Sequence, residues 1–201
     1  MNTGRDTSRS RLFREPVWLM IHLVLLGIII LFAGLTAAYL IGPDAGEEAG
    51  FRIPRIFWLS SILVLLVSLS MRRVLKAYER DNSSTLSGWL LAATVTALLF
   101  VVCQWIGWTG LHQQGITLQD TPAAGYLYVL SGLHVVHVGV GIIMLLVSLT
   151  KSRRLLQHAA TALVYFSDPV RRRRLELLAR YWHTIDYLWL FLFLVFLYKH
   201  A

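Results

Sequence analysis

The chain has 201 residues, of which 56% are hydrophobic and 15% are charged, and its mean hydropathy is +0.60. These values exclude a water-soluble domain and predict an integral membrane protein. The formal net charge of +8 does not indicate nucleic-acid binding, because the basic residues form short clusters between apolar segments. The single cysteine, Cys103, excludes an intrachain disulfide, an all-cysteine metal site and a CxxC redox pair.

Five apolar segments approach the length of about twenty residues that crosses a bilayer. They lie at about 17–41, 54–71, 87–109, 125–149 and 180–198. None shows the period-two alternation of a membrane barrel strand, so we expect an all-α bundle of five transmembrane helices. The expected layout is a polar tail at 1–16, without a cleavable signal peptide, followed by a single membrane domain at 17–201.

The basic clusters predict how the bundle is oriented. They precede the first segment, follow the second and follow the fourth, whereas the other two loops are acidic or nearly uncharged. Because cytoplasmic loops are enriched in Lys and Arg, this pattern predicts a cytoplasmic N-terminus and an external C-terminus. The clusters are Arg5, Arg9, Arg11 and Arg14; Arg72, Arg73, Lys76 and Arg80; and Lys151, Arg153, Arg154 and Arg171 to Arg174.

The basic segment at about 150–179 is expected to be a cytoplasmic connector between the last two helices. It places Leu155, Leu156, Ala159, Ala162 and Leu163 at helical spacing beside arginines. Two interpretations stay open: a helix lying along the membrane surface, or an ordinary solvated connector.

Two apolar segments carry ionisable side chains that a membrane helix rarely tolerates. His134, His137 and Gly141 share one helical face of the fourth segment, and His183, Asp186 and Trp189 share one face of the fifth. Buried ionisable groups in membrane helices usually mark function, and an unpaired carboxylate is costly there.

Imidazoles and a carboxylate are competent metal ligands. The predicted segments nevertheless place His137 near mid-membrane and His183 near the start of its helix, so the two faces should be offset in depth. Hydrogen-bonded helix packing or contact with lipid headgroups is therefore preferred over a metal site.

Aromatic residues cluster near the predicted membrane interfaces, as expected for interfacial anchors. They are Trp105, Trp108, Tyr126, Tyr128, Tyr181, Trp182 and Tyr198. Gln104 lies beside Trp105, and an alternative interpretation is that this region contacts a partner protein.

Two motifs on the last two predicted helices resemble subunit III of the haem-copper oxidases. They are S-G-L-H-V-V-H-V-G-V-G at 131–141 and Y-W-H-T-I-D-Y-L-W-L-F at 181–191, with Glu176 at the family's spacing before the second. F-A-G-L-T-A-A-Y at 32–39 is similar to the end of an earlier conserved helix. The chain resembles the five-helix bacterial form, and Ile28 stands where the family often has a membrane-embedded glutamate.

The resemblance implies a non-redox accessory subunit of an aerobic cytochrome c oxidase, a proton-translocating oxidoreductase of the bacterial inner membrane. Such a subunit packs against catalytic subunit I and other oxidase subunits, supports proton uptake and protects the enzyme during turnover. Haem and copper are expected in the partner subunits. No catalytic, cofactor or metal site is expected on this chain. Phospholipid is a further expected ligand, although the cleft that holds lipid in the seven-helix form lacks a wall here. The residues expected to serve helix packing, lipid contact or a subunit interface are His134, His137, Glu176, Tyr181, Trp182, His183, Asp186 and Trp189.

Three alternatives remain. A quinol oxidase and a nitric oxide reductase use related subunits, and the electron donor is set by other chains. A small proton or ion transporter belongs to a different class, but neither an inverted repeat nor a broken helix is visible in the sequence.

Overall fold

The computed structural model describes residues 14–42 and 54–200, which form six α-helices and, within these ranges, no β-strand. The helices are α1 (Arg14–Ile41), α2 (Ile56–Glu79), α3 (Ser83–Gln113), α4 (Pro122–Leu155), α5 (Ala159–Ser167) and α6 (Pro169–His200). Five of them, all except the nine-residue α5, are long and apolar enough to cross a membrane. The predicted all-α, five-span fold is confirmed, and the orientation stays a prediction.

Helix starts follow local sequence. The Asn82 side chain accepts a hydrogen bond from the Thr85 N–H and so caps α3. Thr121 does the same for the Ala124 N–H at the start of α4, where Pro122 occupies a first-turn position that needs no N–H donor.

A short turn joins α2 and α3 into an antiparallel hairpin. Asp81 adopts a left-handed backbone conformation with φ of 50°, one that aspartate tolerates better than most residues. The Asn82 N–H donates to the Ala77 carbonyl oxygen across this turn. The two helices consequently form the most extensive helix pair of the described bundle.

Helix α6 lies at the centre of the bundle. It packs against α1, α2 and α4 and also touches the short α5, whereas α1 packs mainly against α4 and α6. The outer faces stay apolar: Leu23 on α1, Leu65 on α2 and Val136 on α4 are more than half exposed. Apolar side chains both inside and outside are what a lipid-embedded bundle requires.

The region at 150–179, predicted to be a cytoplasmic connector, is mostly helical. Helix α4 continues to Leu155 and α6 already begins at Pro169, so most of the region belongs to the ends of two long helices. A helix can continue past the apolar layer into water, where hydropathy no longer reports it, so the cytoplasmic connector stays a prediction.

Between those ends, α5 is fixed to the bundle by two tyrosines. Tyr78 Oη lies 3.0 Å, 3.1 Å and 3.0 Å from the carbonyl oxygens of Tyr165, Phe166 and Asp168, so its proton caps the C-terminus of α5. Tyr165 Oη lies 2.7 Å from Ser152 Oγ on α4. Burial raises the pKa of Tyr165, which keeps its hydroxyl protonated and available for this bond.

Candidate functional site

His134 lies at the centre of an aromatic cluster contributed by three other helices. Its ring centroid is 6.4 Å from that of Phe32 on α1, 5.6 Å from Phe100 on α3 and 5.3 Å from Trp189 on α6. The side chain is 1% exposed, and its Nε2 has no hydrogen-bond partner among the described residues. His134 therefore acts as a packing group that joins four helices.

The two sequence motifs meet where α4 and α6 approach most closely. A Cβ atom added at Gly141 would lie 2.8 Å from Trp182 Cζ2 and 3.1 Å from Tyr181 Cε1. Tyr181 Oη donates to the His137 carbonyl oxygen over 2.9 Å. The absence of a side chain at Gly141 makes room for the two aromatic rings.

These contacts correct the expected offset in depth. Because α6 begins at Pro169, Tyr181 and Trp182 are already three turns into the helix and lie level with His137 and Gly141. The offset was wrong because the first turns of α6 contain Arg171 to Arg174 and carry no apolar signal.

The histidines nevertheless face different neighbours. His137 Nδ1 lies 2.7 Å from the carbonyl oxygen of Leu133 in its own helix. His183 Nδ1 lies 2.6 Å from Ser68 Oγ on α2. Within residues 14–42 and 54–200, no three His, Cys, Asp or Glu side chains are arranged to hold a metal ion.

Asp186 is a buried carboxyl group without a hydrogen-bond partner among the described residues. It is 3% exposed and lies beside Ser68. Ser68 instead bonds His183, one turn away from Asp186 on α6. The Ser68 hydroxyl thus lies between two ionisable side chains of the same motif.

Trp189 connects α6 to α2 as well as to His134. Its indole Nε1 donates to Ser61 Oγ over 3.1 Å, and the Ser61 hydroxyl donates to the Phe57 carbonyl oxygen over 2.9 Å. The Phe57 ring itself lies 6.0 Å from the Trp189 ring. One buried tryptophan therefore contributes both packing and a hydrogen bond to the central interface.

Glu176 lies outside this core. Arg172 Nε is 3.2 Å from Glu176 Oε1, and Arg172 Nη2 is 3.2 Å from Glu79 Oε1 on α2. The three side chains are exposed, so this network between the end of α2 and α6 contributes little to stability.

Sequence reasoning missed several members of the core. Phe32 was part of a quoted motif without a role, and Phe100, Ser61 and Ser68 lie in segments that read as uniform apolar helix. Gln104, considered as a contact for a partner protein, is 0% exposed, so a direct contact with a partner is excluded.

The fold and site define a class of protein: a multi-pass helical membrane protein with several polar and aromatic motif residues buried between its own helices. The family model for cytochrome c oxidase subunit III matches residues 53–201. The chain therefore belongs to the cytochrome c oxidase subunit III family.

Relatives from two kinds of oxidase share this family. The chain is 26% identical to cytochrome c oxidase subunit 3 of Synechocystis sp. over 82% of its own length and 68% of the relative's. It is 26% identical to a probable quinol oxidase subunit 3 of Staphylococcus haemolyticus, over 81% and 79% of the two chains. It is 25% identical to cytochrome bo(3) ubiquinol oxidase subunit 3 of Pseudomonas putida, over 83% and 77%.

The function follows from this membership. The chain is an accessory subunit III of a haem-copper oxidase, a multi-pass protein of the bacterial inner membrane and a component of an oxidoreductase complex.

Proposed function

We propose that this subunit stabilises catalytic subunit I of a cytochrome c oxidase, supports proton uptake and prolongs activity during turnover. The observation that carries the proposal is the burial of His134, Tyr181, Trp182, Asp186 and Trp189 inside the chain. His134, Tyr181 and Trp189 contact neighbouring helices, and these contacts would keep the bundle rigid. Haem and copper belong to the partner subunits in this proposal.

The rigid bundle leaves the apolar outer faces of α1 to α4 for subunit I, other oxidase subunits and lipid. In the proposed orientation, the N-terminus and the α4–α6 region with α5 face the cytoplasm, as the arginine clusters favour. Proton uptake begins on that side, so a firmly held cytoplasmic end is where the subunit would support it.

The test uses the purified, assembled oxidase with His137→Ala. His137 packs against Phe32 with ring centroids 5.7 Å apart, so His137→Ala should loosen the contact between α1 and α4. We expect unchanged haem absorption and initial oxygen consumption, followed by faster loss of activity over repeated turnover. Val136→Ala is the matched control because Val136 faces outward on the same helix.

Altered haem absorption, or inactivity from the first turnover in an assembled His137→Ala variant, would instead place this residue in the catalytic machinery. A turnover lifetime equal to that of the wild type would contradict the stabilising role.

A quinol oxidase is the second candidate, favoured by the quinol oxidase relatives in Staphylococcus haemolyticus and Pseudomonas putida. The electron donor is decided by the partner subunits. Purifying the complex in mild detergent, identifying its subunits and comparing oxidation of reduced cytochrome c with that of ubiquinol separates the two. Copurification with a nitric oxide reductase would reject both.

A further inference from the structure

The α2–α3 hairpin end carries a concentration of positive charge that the subunit's helix-packing role does not use. Arg72, Arg73 and Lys76 are exposed on the last turns of α2, and the exposed Arg80 directly follows this helix. None of the four forms an ion pair with an acidic side chain in the described part of the chain. The nearest acidic side chain on this helix, Glu79, is paired with Arg172.

Two adjoining surface cavities lie among these cations. The smaller, of about 160 Å³, has Arg73, Lys76 and Arg80 on one side and the first turn of α3 on the other. The larger, of about 420 Å³, shares Arg73 and Lys76 and is bounded by Leu69 and Leu75. The Arg73 guanidinium is held 5.8 Å from the centroid of the Trp89 ring, which fixes the charge at the boundary between the two.

The chemistry of the smaller cavity suits a phosphate group. Its three cationic side chains offer charged hydrogen-bond donors. The first turn of α3 adds the positive end of the helix dipole, although the Thr85 N–H at the cavity is already bonded to the Asn82 side chain.

The surface below the larger cavity is apolar. Ile62, Leu65 and Leu69 are exposed on one face of α2, at three- and four-residue spacing, and that face leads to Arg72, Arg73 and Lys76. An acyl chain lying along this face would bring its headgroup to the cations. A free anion would make no use of the apolar face, and the ammonium of a zwitterionic headgroup would be repelled by the unpaired cations.

We propose that the end of the α2–α3 hairpin is a binding site for an anionic phospholipid, with the phosphate held by Arg73, Lys76 and Arg80 and an acyl chain lying along Ile62, Leu65 and Leu69. The site is separate from the core between α4 and α6. Occupancy of the site would therefore depend on how much anionic lipid the surrounding leaflet contains.

The experiment measures lipid retained by the intact oxidase after partial delipidation, using native mass spectrometry with added phosphatidylglycerol. The test variant combines Arg73→Gln, Lys76→Gln and Arg80→Gln. The control combines Arg153→Gln, Arg154→Gln and Arg174→Gln, which removes the same charge from exposed positions that line neither cavity. We expect the test variant to bind phosphatidylglycerol about tenfold to hundredfold more weakly than the wild type and the control.

Equal weakening in both variants would overturn the proposal in favour of a general charge effect. Equal retention of phosphatidylethanolamine by the wild type would refute the selectivity for anionic lipid, and displacement of phosphatidylglycerol by inorganic phosphate would point to a free anion. Loss of another oxidase subunit from the test variant alone would identify the surface as a protein interface. A second variant, Leu69→Asn, keeps every cation and should still lower lipid retention through the acyl contact.

Discussion

Gly141 shows how one missing side chain sets the distance between two helices. The rings of Tyr181 and Trp182 occupy the space that a Cβ atom would fill. In membrane helices, small residues at such contacts permit the close packing that replaces the hydrophobic driving force available in water. The packing of Tyr181 and Trp182 in the second motif therefore depends on Gly141 in the first.

We expect Gly141→Ala to destabilise the α4–α6 contact by about 1–3 kcal/mol, because a tightly packed core resists an added methyl group. The measurement is the temperature at which the subunit dissociates from the purified oxidase. Gly139→Ala is the control on the same helix, since a Cβ atom there would have no neighbour within 4 Å. If both variants dissociated at the same temperature, the close approach at Gly141 would be unimportant for stability.

Single residues were predictable from sequence only in part. Spacings of three and four residues correctly placed His134, His137 and Gly141 on one face, because that relation depends on helix geometry alone. Their neighbours depend on tertiary structure: Ser68 and His183 are 115 residues apart, and nothing in either segment specifies the pair.

At the scale of elements, α5 is a helix of nine residues whose position depends on contacts with residues of other helices. A helix this short is not stable alone in water, so its position depends on Tyr78 and on the bond between Tyr165 and Ser152. Tyr78 belongs to α2, which makes α5 a rigid corner linking α2, α4 and α6.

Replacing Tyr78 with Phe should therefore loosen α5 selectively. Loss of one buried hydrogen bond costs about 1 kcal/mol, which makes local opening roughly fivefold more frequent. Hydrogen–deuterium exchange of the oxidase should show faster exchange at residues 159–168 and unchanged exchange in α3. The exposed Tyr198→Phe serves as control, and protection of α5 equal to wild type would show that the Tyr78 hydroxyl does not hold it.

Helix number was predictable because each spanning helix contains a long apolar run, but helix ends were not. Helix α2 extends about two turns beyond its apolar segment, through Arg72, Arg73 and Lys76, and α6 starts about three turns before its own. Charged residues such as these are good helix formers, so a helix continues where the hydropathy signal stops.

At the scale of the whole molecule, the orientation of the bundle in the membrane is the prediction that controls the others. Ser84 and Gln114 are exposed at opposite ends of α3, and the native Cys103 is buried. In separate variants, Ser84→Cys should react with a membrane-impermeant thiol reagent from the cytoplasm only, and Gln114→Cys from outside only. The reverse pattern would invert the topology and the sidedness of the proposed lipid site.

The central position of α6 also determines the order in which the protein is built. During synthesis α6 leaves the ribosome after the other five helices, although α1, α2 and α4 all pack against it. The contacts between α2 and α3 can form as soon as α3 has been made. The contacts of α1 can form only after α4 and then α6 have been inserted into the bilayer. Until then the inner faces of the early helices, including Phe32 and Thr36, remain open to lipid or to an insertion factor. Completion of α6 therefore closes the bundle, because its contacts with α1, α2 and α4 can form only after it has been made.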